Sequence, residues 1–477
     1  MSGSEQLDFR FCQVFGDTCP VEEASNCDII SAVKFDKTGQ YLAVGDRGGR
    51  AIIFERAESK KKSKSHFVGY KFLIEFQSHE QEFDYLRSLE VDEKINAIHW
   101  WNPQNKAQLL LSANDKTIKL WKIFRRKVVE VGNLNIPKPE GRVLDMATAR
   151  RIANPGDLRI PRLRTTELML SAIRRRQYAN IHSYHINSLS LSADGDVFLS
   201  ADDLRIYIWS LHHHKEVFNV CDIKPACMGD LSEVITCAKF HPRDGAVMFY
   251  GSSKGAVRMC DMRCRALCDK PTKEYYTPPV GGGVSEIVAS VGDFQVSTDG
   301  RNIYSRDYLG IKIWDVRKSD HPVTTIPIYN GLRSKLDSLY ESEFLFDRFH
   351  LALGPHSRYL FTGFYSDHFF CYDGHGKYGF TAQASRSVLG RKVREKKAIE
   401  LAKAAASNPL TGASINGKRV LDGGQYLGDF APDLSYKKKI SFLDVHPTEN
   451  IVALATLCNL YIYTGVKPQV GSRSSRK

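Results

Sequence analysis

Residues 95–123 read INAIHWWNPQNKAQLLLSANDKTIKLWKI. An alternating apolar run, INAIHWW, leads into a polar turn. A second run, LLLSA, ends at Asn-Asp, and a third, IKLW, follows at once. Alternation of apolar and polar residues over short runs is the pattern of a strand with one buried face. The same order returns at 186–211 (INSLSLSADGDVFLSADDLRIYIWSL) and at 288–316 (VASVGDFQVSTDGRNIYSRDYLGIKIWDV). The three closing runs read IKLW, IYIW and IKIW, each with Asp or Asn in the turn before it. Gly, Asp and Asn suit those turns because they accept positive φ or bond their own backbone.

Four weaker copies begin at Asp28, Ile235, Leu345 and Ile440, which makes seven in all. A fourth strand usually follows the third, as in EVFNVCD from Glu216 and PVTTIPI from Pro322. Repetition at this spacing marks WD-type repeats. The expectation is an all-β chain, a single seven-bladed β-propeller over residues 1–477, with a protruding β-hairpin arm and inserted loops. Four antiparallel strands make a blade, and a ring of blades leaves few exposed edges. The early run FRFCQVF (9–15) is expected to be the outer strand of the last blade, closing the ring. Seven unrelated hairpins in a sandwich would not account for the repeated order.

No apolar run is long enough to span a membrane, and MSGSEQLDF lacks the basic start and apolar core of a secretory signal. Cysteines such as Cys237, Cys260 and Cys371 fall inside strands, which predicts reduced core residues of an intracellular, cytoplasmic protein, with nuclear presence left open. The formal charge of +13 invites a nucleic-acid reading. Its distribution argues otherwise. Residues 124–185 and 374–439 each carry 13 Lys and Arg against 5 Asp and Glu, +8 apiece, which leaves −3 for the rest of the chain. A mildly acidic body repels phosphate backbone and suits basic protein partners.

Three gaps interrupt the rhythm. In 55–94, SHEQEFDYLRSLEVDEK predicts a short helix, with Ser78 as N-cap, Gln81 completing a capping box, and Phe83, Leu86 and Leu89 or Glu90 on one face. The gap at 124–178 is too long for an ordinary loop. Its two strand-like arms, VVEVGNLNIPK and LRIPRLRTTELML, predict a hairpin. The gap at 374–436 holds the helix-favouring RKVREKKAIELAKAAA among disorder-type segments and predicts a disordered or partly helical insertion.

No constellation predicts catalysis, a metal or a cofactor. SHEQEFD holds the first half of HExxH without a second His. His212, His213 and His214 are consecutive, so they cannot present three ligands on one face of a strand. Cys260, Cys264 and Cys268 lack a CxxC pair. The GGG at Gly281 lacks the GK[ST] of a phosphate loop, and there is no GxSxG. The chain reads as an interaction platform rather than an enzyme.

Several strings go beyond a generic repeat: LAVGDRGGRAIIFER, FQSHEQEFDYLRSLEVDEKIN, LLSANDKTIKLWKI, YHINSLSLSADGDVFLSADDLRIYIW, SSKGAVRMCDMR, RDYLGIKIWDVR and LRSKLDSLYE. They closely resemble the WD-repeat B-class regulatory subunit of serine/threonine protein phosphatase 2A, over roughly residues 9–463. The match is poorest in 59–70, 125–171 and 374–436. The resemblance implies a non-enzymatic subunit of a heterotrimer. Such a subunit docks on a HEAT-repeat scaffold A subunit through a long hairpin, here 124–178, and brings phosphoprotein substrates with basic segments to the catalytic C subunit. Another propeller adaptor, such as a ubiquitin-ligase substrate receptor, is the alternative, and the YHINSLS…SADDLRI cluster speaks against it. A nucleic-acid-binding propeller would need an aromatic-basic stacking surface, which the chain lacks.

The resemblance also implies a substrate-binding set: Phe83, Arg87, Tyr184, His185, Asp203, Met228, Leu231, Val234, Tyr340 and Glu343. Asp203 and Glu343 would pair with substrate Arg or Lys through charge-assisted bonds. Phe83, Leu231 and Val234 would hold the apolar side of a substrate helix. Arg87 stands where the family usually has Lys, Glu343 where it has Asp, and CMGD where it has a more acidic stretch.

Overall fold

The computed structural model describes residues 8–16, 23–57, 69–85, 88–101, 107–132, 162–213, 215–279, 283–376, 379–384 and 434–466. Seven four-stranded antiparallel sheets form the blades of a propeller. From its innermost strand outward, blade one is Ile30–Phe35, Tyr41–Asp46, Arg50–Arg56 and Tyr70–Gln77. Blade two is Ala97–Trp101, Gln108–Ala113, Ile118–Gly132 and Arg162–Tyr178. Blade three is Ser188–Leu191, Val197–Ala201, Arg205–Ser210 and Val217–Asp222; blade four is Ile235–Phe240, Val247–Ser252, Val257–Asp261 and Lys273–Tyr275. Blade five is Asp293–Val296, Asn302–Arg306, Gly310–Asp315 and Thr324–Pro327; blade six is Leu351–Leu353, Tyr359–Gly363, His368–Asp373 and Gly379–Gln383.

Blade seven takes Ile440–Val445, Ile451–Thr456 and Asn459–Val466 from the end of the chain and Asp8–Phe15 from its start. The strand read from FRFCQVF therefore closes the ring. Phe9 is buried in that seam, edge-on to Phe361 with ring centroids 5.1 Å apart.

The apolar core is divided among the seams. Each of seven buried clusters joins two neighbouring blades, for example Trp100 and Leu110 with Ala43 and Ile53, or Trp314 and Phe294 with Phe249 and Tyr275. This explains why the middle strands of a blade are nearly continuous apolar runs, such as VMFYGS in blade four, buried throughout. Both faces of such a strand meet another blade. The inner strands of adjacent blades do not pair by backbone ladders, so side chains take up their exposed N–H groups. Asp444 accepts from Phe35 N at 2.8 Å, Asp293 from Leu351 N at 2.9 Å, and Ser188 from Ala238 N at 2.9 Å.

The turn residues behave as their chemistry requires. In blade three the Asp202 carboxylate accepts from Leu204 N at 2.9 Å and Arg205 N at 2.7 Å. In blade two Asn114 accepts from Thr117 N at 2.8 Å, and in blade five Asp307 accepts from Leu309 N at 3.0 Å. Each side chain closes the tight turn into the third strand.

Blade three adds a buried relay. Trp209 Nε1 donates to Ser200 Oγ at 2.8 Å, Ser200 meets His182 Nε2 at 2.7 Å, and His182 Nδ1 meets Asp202 at 3.0 Å. An ionised Asp202 fixes the neutral tautomer, so Nδ1–H donates to the carboxylate and Nε2 accepts from the serine. Burial alone would raise the Asp202 carboxyl, but His182 and the two backbone donors hold it below the usual range.

Two readings of the gaps are corrected or refined. The segment after Ser78 is not a helix. Glu82–Asp84 and Leu89–Val91 pair as a two-stranded hairpin, Phe83 opposite Glu90. Ser78 does not cap a helix. It is buried, and its Oγ lies 2.7 Å from Ser112 Oγ of blade two. Alternation in EFDY and LEV suits a ribbon, and tertiary anchoring at Ser78 outweighs the local capping signal.

The hairpin arm at 124–178 grows from blade two itself. Its third and fourth strands lengthen to 15 and 17 residues and stay paired to Gly132 opposite Arg162. The start of the 374–436 segment supplies the outer strand of blade six; residues 385–433 lie outside the described residues. His214, Gly281 and Arg87 also lie outside them. Among the described residues, no helix is long and apolar enough to cross a membrane.

Candidate functional site

In an up-and-down blade, the turns between strands two and three share one end with the connections to the next blade. The turns between strands one and two and between three and four lie at the other end. Every described residue of the implied substrate set belongs to the first end. The connections at 78–96, 181–187, 223–234 and 328–350 and the turn at Asp202-Asp203 all open on that rim. The arm is the turn between strands three and four of blade two, so it leaves from the opposite end.

On the rim the residues fall into three groups. The first lies across blades three and four. Tyr184 Oη points to Met228 Sδ at 3.9 Å. His185 Nδ1 meets Asp115 at 3.0 Å. The Asp203 carbonyl accepts from Ile235 N at 2.7 Å, which ties the Asp203 turn to the end of the CMGDLSEV connection. Val234 is fixed there through Ser253, which donates to its carbonyl and accepts from its N–H, both at 3.0 Å. Met228 and Leu231 are exposed beside it, Met228 opening a single 3-10 turn, Met228–Asp230.

Asp203 is half-buried and its side chain makes no hydrogen bond among the described residues. Burial raises its carboxyl, and Arg348, His185 and Lys116 pull the other way. A carboxylate with unused acceptors at a surface turn is equipped to take donors from a partner.

The second group stands on the Glu82–Asp84 hairpin. Phe83 is 46% exposed and packs edge-on against Tyr85, which is 86% exposed. Leu89 lies on the facing strand and is also exposed. Under the hairpin, His79 is buried, and burial together with Lys119 pushes its imidazole down to about 3. Lys119 is itself buried and donates to the Ser78 carbonyl at 3.2 Å.

The third group is Tyr340 and Glu343, at the end of the short helix Leu336–Glu341. Tyr340 packs against exposed Phe346 with centroids 6.0 Å apart, and Glu343 is exposed with φ of +63°. Arg348, five residues after Glu343, is the charge that reaches Asp203 and so relates the third group to the first.

Sequence reasoning missed Tyr85 and Phe346, the most exposed aromatic groups beside the implied set. The helix reading hid the first. The second sits in FLF, a string that reads as core until Leu345 alone is seen to be buried. Among the described residues no group of three His, Cys, Asp or Glu could hold a metal.

The comparisons with known proteins agree with this architecture. Residues 177–210, which span the buried relay of blade three, match the WD domain, G-beta repeat family. A Schizosaccharomyces pombe protein, named as the regulatory B subunit of protein phosphatase PP2A, is 42% identical over 465 residues, 96% of this chain and 97% of that protein. A Dictyostelium discoideum protein, named as the serine/threonine-protein phosphatase 2A regulatory subunit phr2AB, is 37% identical over 496 residues, 97% of this chain and 99% of that one. Similarity at this level runs along nearly the whole of both relatives and takes in every blade, and the chain therefore belongs to the family of protein phosphatase 2A regulatory B subunits.

Proposed function

We propose that this protein is a non-catalytic adaptor. It grips the scaffold A subunit with the arm and holds phosphoprotein substrates with basic segments on the opposite rim, beside the catalytic C subunit. The observation that carries the reading is the separation of the two surfaces: arm and rim occupy opposite ends of the blades, so both can be engaged at once.

The arm's chemistry supports a protein partner. Its outgoing strand carries Lys122, Arg125, Arg126 and Lys127, and its returning strand exposes Leu168, Met169 and Ile173. Arg126 stands opposite Met169 and Lys127 opposite Leu168 on alternate faces of the ribbon, so each face sets a cation beside an apolar side chain, which suits a surface with both acidic and apolar patches. On the rim, the acceptors of Asp203 and Glu343 suit substrate Arg and Lys, and Phe83, Met228 and Leu231 offer apolar area for a substrate segment.

The test is Asp203→Lys, assayed in reconstituted complexes. Assembly with scaffold and catalytic subunits should be intact, because the Asp203 turn is held by its backbone and by Asp202. Dephosphorylation of substrates with basic flanks should fall by about tenfold or more, the scale of a charge-assisted contact turned repulsive. Failure to assemble would make Asp203 structural and remove it from the site; unchanged turnover would remove the rim as the substrate surface.

A further inference from the structure

The seven inner strands enclose a central cavity of about 290 Å³, lined by residues of every blade. Its charged groups are Lys34, Lys239 and Arg348 against Asp293 and Asp444, and two imidazoles that burial pushes down, His99 and His350, also line it. Arg348 and His350 are two residues apart at the entry to blade six. They face the cavity while Phe349 between them is buried in the blade core.

The aspartates have their partners. Asp293 accepts from Lys239 Nζ at 2.5 Å, from Phe294 N at 2.8 Å and from Leu351 N at 2.9 Å, and His350 Nδ1 lies 3.6 Å from it. Asp444 accepts from Lys34 Nζ at 3.0 Å and Phe35 N at 2.8 Å. The donors do not. An ammonium has three N–H groups and a guanidinium five. Lys34 uses one, on Asp444, and Lys239 uses two, on Asp293 and the Phe294 carbonyl at 2.7 Å. Arg348 has one long contact, 3.5 Å to the Thr236 carbonyl, and no carboxylate within ion-pair distance among the described residues. The cavity lining therefore holds more charged donors than acceptors, three cations against two carboxylates, and Asp203, outside the lining, is the further carboxylate on which Arg348 acts. Arg348 is exposed and Lys34 and Lys239 are partly so, so a soluble anion can reach these donors from the open end of the cavity.

We propose that this cavity is a binding site for a small free oxyanion of the inorganic phosphate class, held by Arg348, with the spare donors of Lys34 and Lys239 and the His350 ring completing its shell. Inorganic phosphate offers many more acceptors than donors and carries negative charge, and the volume admits it with water. The site is distinct from the outer rim residues assigned to substrates, and it does not depend on that assignment.

The experiment is calorimetric titration of the full-length chain with sodium phosphate, against sodium chloride at matched ionic strength. The expected result is one saturable site for phosphate and none for chloride. Arg348→Met should weaken it about tenfold or more, the scale of hydrogen bonds to a charged group. His350→Phe, which keeps the ring packing on Phe442, should weaken it less. Lys224→Met, exposed and outside the cavity, should bind like the wild type. No saturable heat up to about 10 mM phosphate would overturn the proposal. So would equal binding by Arg348→Met, or an equal loss in Lys224→Met.

Discussion

Asp202→Ala tests the reasoning about the blade-three relay most directly. The carboxylate is fully buried and satisfies three donors: Leu204 N, Arg205 N and His182 Nδ1. Alanine leaves all three without an acceptor in a site already closed by Trp209 and Tyr207. An unsatisfied buried donor costs about 1–3 kcal/mol. Taking the low end for groups that a water could partly reach, the sum is about 3–5 kcal/mol. Relief of the buried charge does not cancel this, since the carboxyl is held below its usual range in spite of burial.

The assay is urea unfolding followed by tryptophan fluorescence. With a slope near 3 kcal/mol per M for a large domain, the midpoint should fall by about 1 M or more. Asp202→Asn keeps an oxygen for the two backbone donors but presents an amide to His182, and should fall between wild type and alanine. The order matters as well as the size. A loss below about 1 kcal/mol for alanine, or an asparagine variant as damaged as alanine, would refute the claim that this carboxylate is the acceptor on which the relay depends.

Two further outcomes are expected. Gly39 has φ of +73°, and a Cβ there would run into the imidazole of buried His446 across the seam between blades seven and one, so Gly39→Ala should lower the unfolding midpoint markedly, and Gly195→Ala, with 3.8 Å of clearance, much less. Stability should also fall with acid: burial pushes His79 and His99 down to about 3, from an unfolded value near 6.5, so their contribution is complete above pH 6.5. It is lost as pH drops towards 3, at roughly 1.4 kcal/mol per pH unit for buried His79 and at most that for half-buried His99, and a urea midpoint flat between about pH 7.5 and 5 would contradict the neutral imidazoles.

The sequence was most legible where local chemistry and global fold agree. IKLW, IYIW and IKIW became third strands because their alternation matches a blade packed on both sides. The Asp and Asn before them close turns with their own side chains, which needs no distant partner. The paired base of the arm, as far as Gly132 opposite Arg162, was legible for the same reason, since two β-like runs can pair with each other; residues 133–161 lie outside the described residues. The 78–90 segment failed because capping and spacing signals are weak in short segments, and contacts far along the chain decided its form. Ser78 is held by Ser112, a partner that no local pattern announces.

The order of the strands, the seven-fold count and the strand from the N-terminus that closes the ring were thus set by the sequence alone, because each rests on periodicity and on turn chemistry. The candidate set on the rim came from resemblance rather than from pattern, since a lone Asp203 in a turn reads like any other turn residue. Only the tertiary structure put arm and rim at opposite ends and gathered Tyr184, Asp203 and Val234 across two blades. It alone placed two lysines, an arginine and two histidines from four blades around one cavity. Those arrangements depend on the closure of the ring, which brings together residues far apart in the chain, and the distance along the chain carries no trace of it.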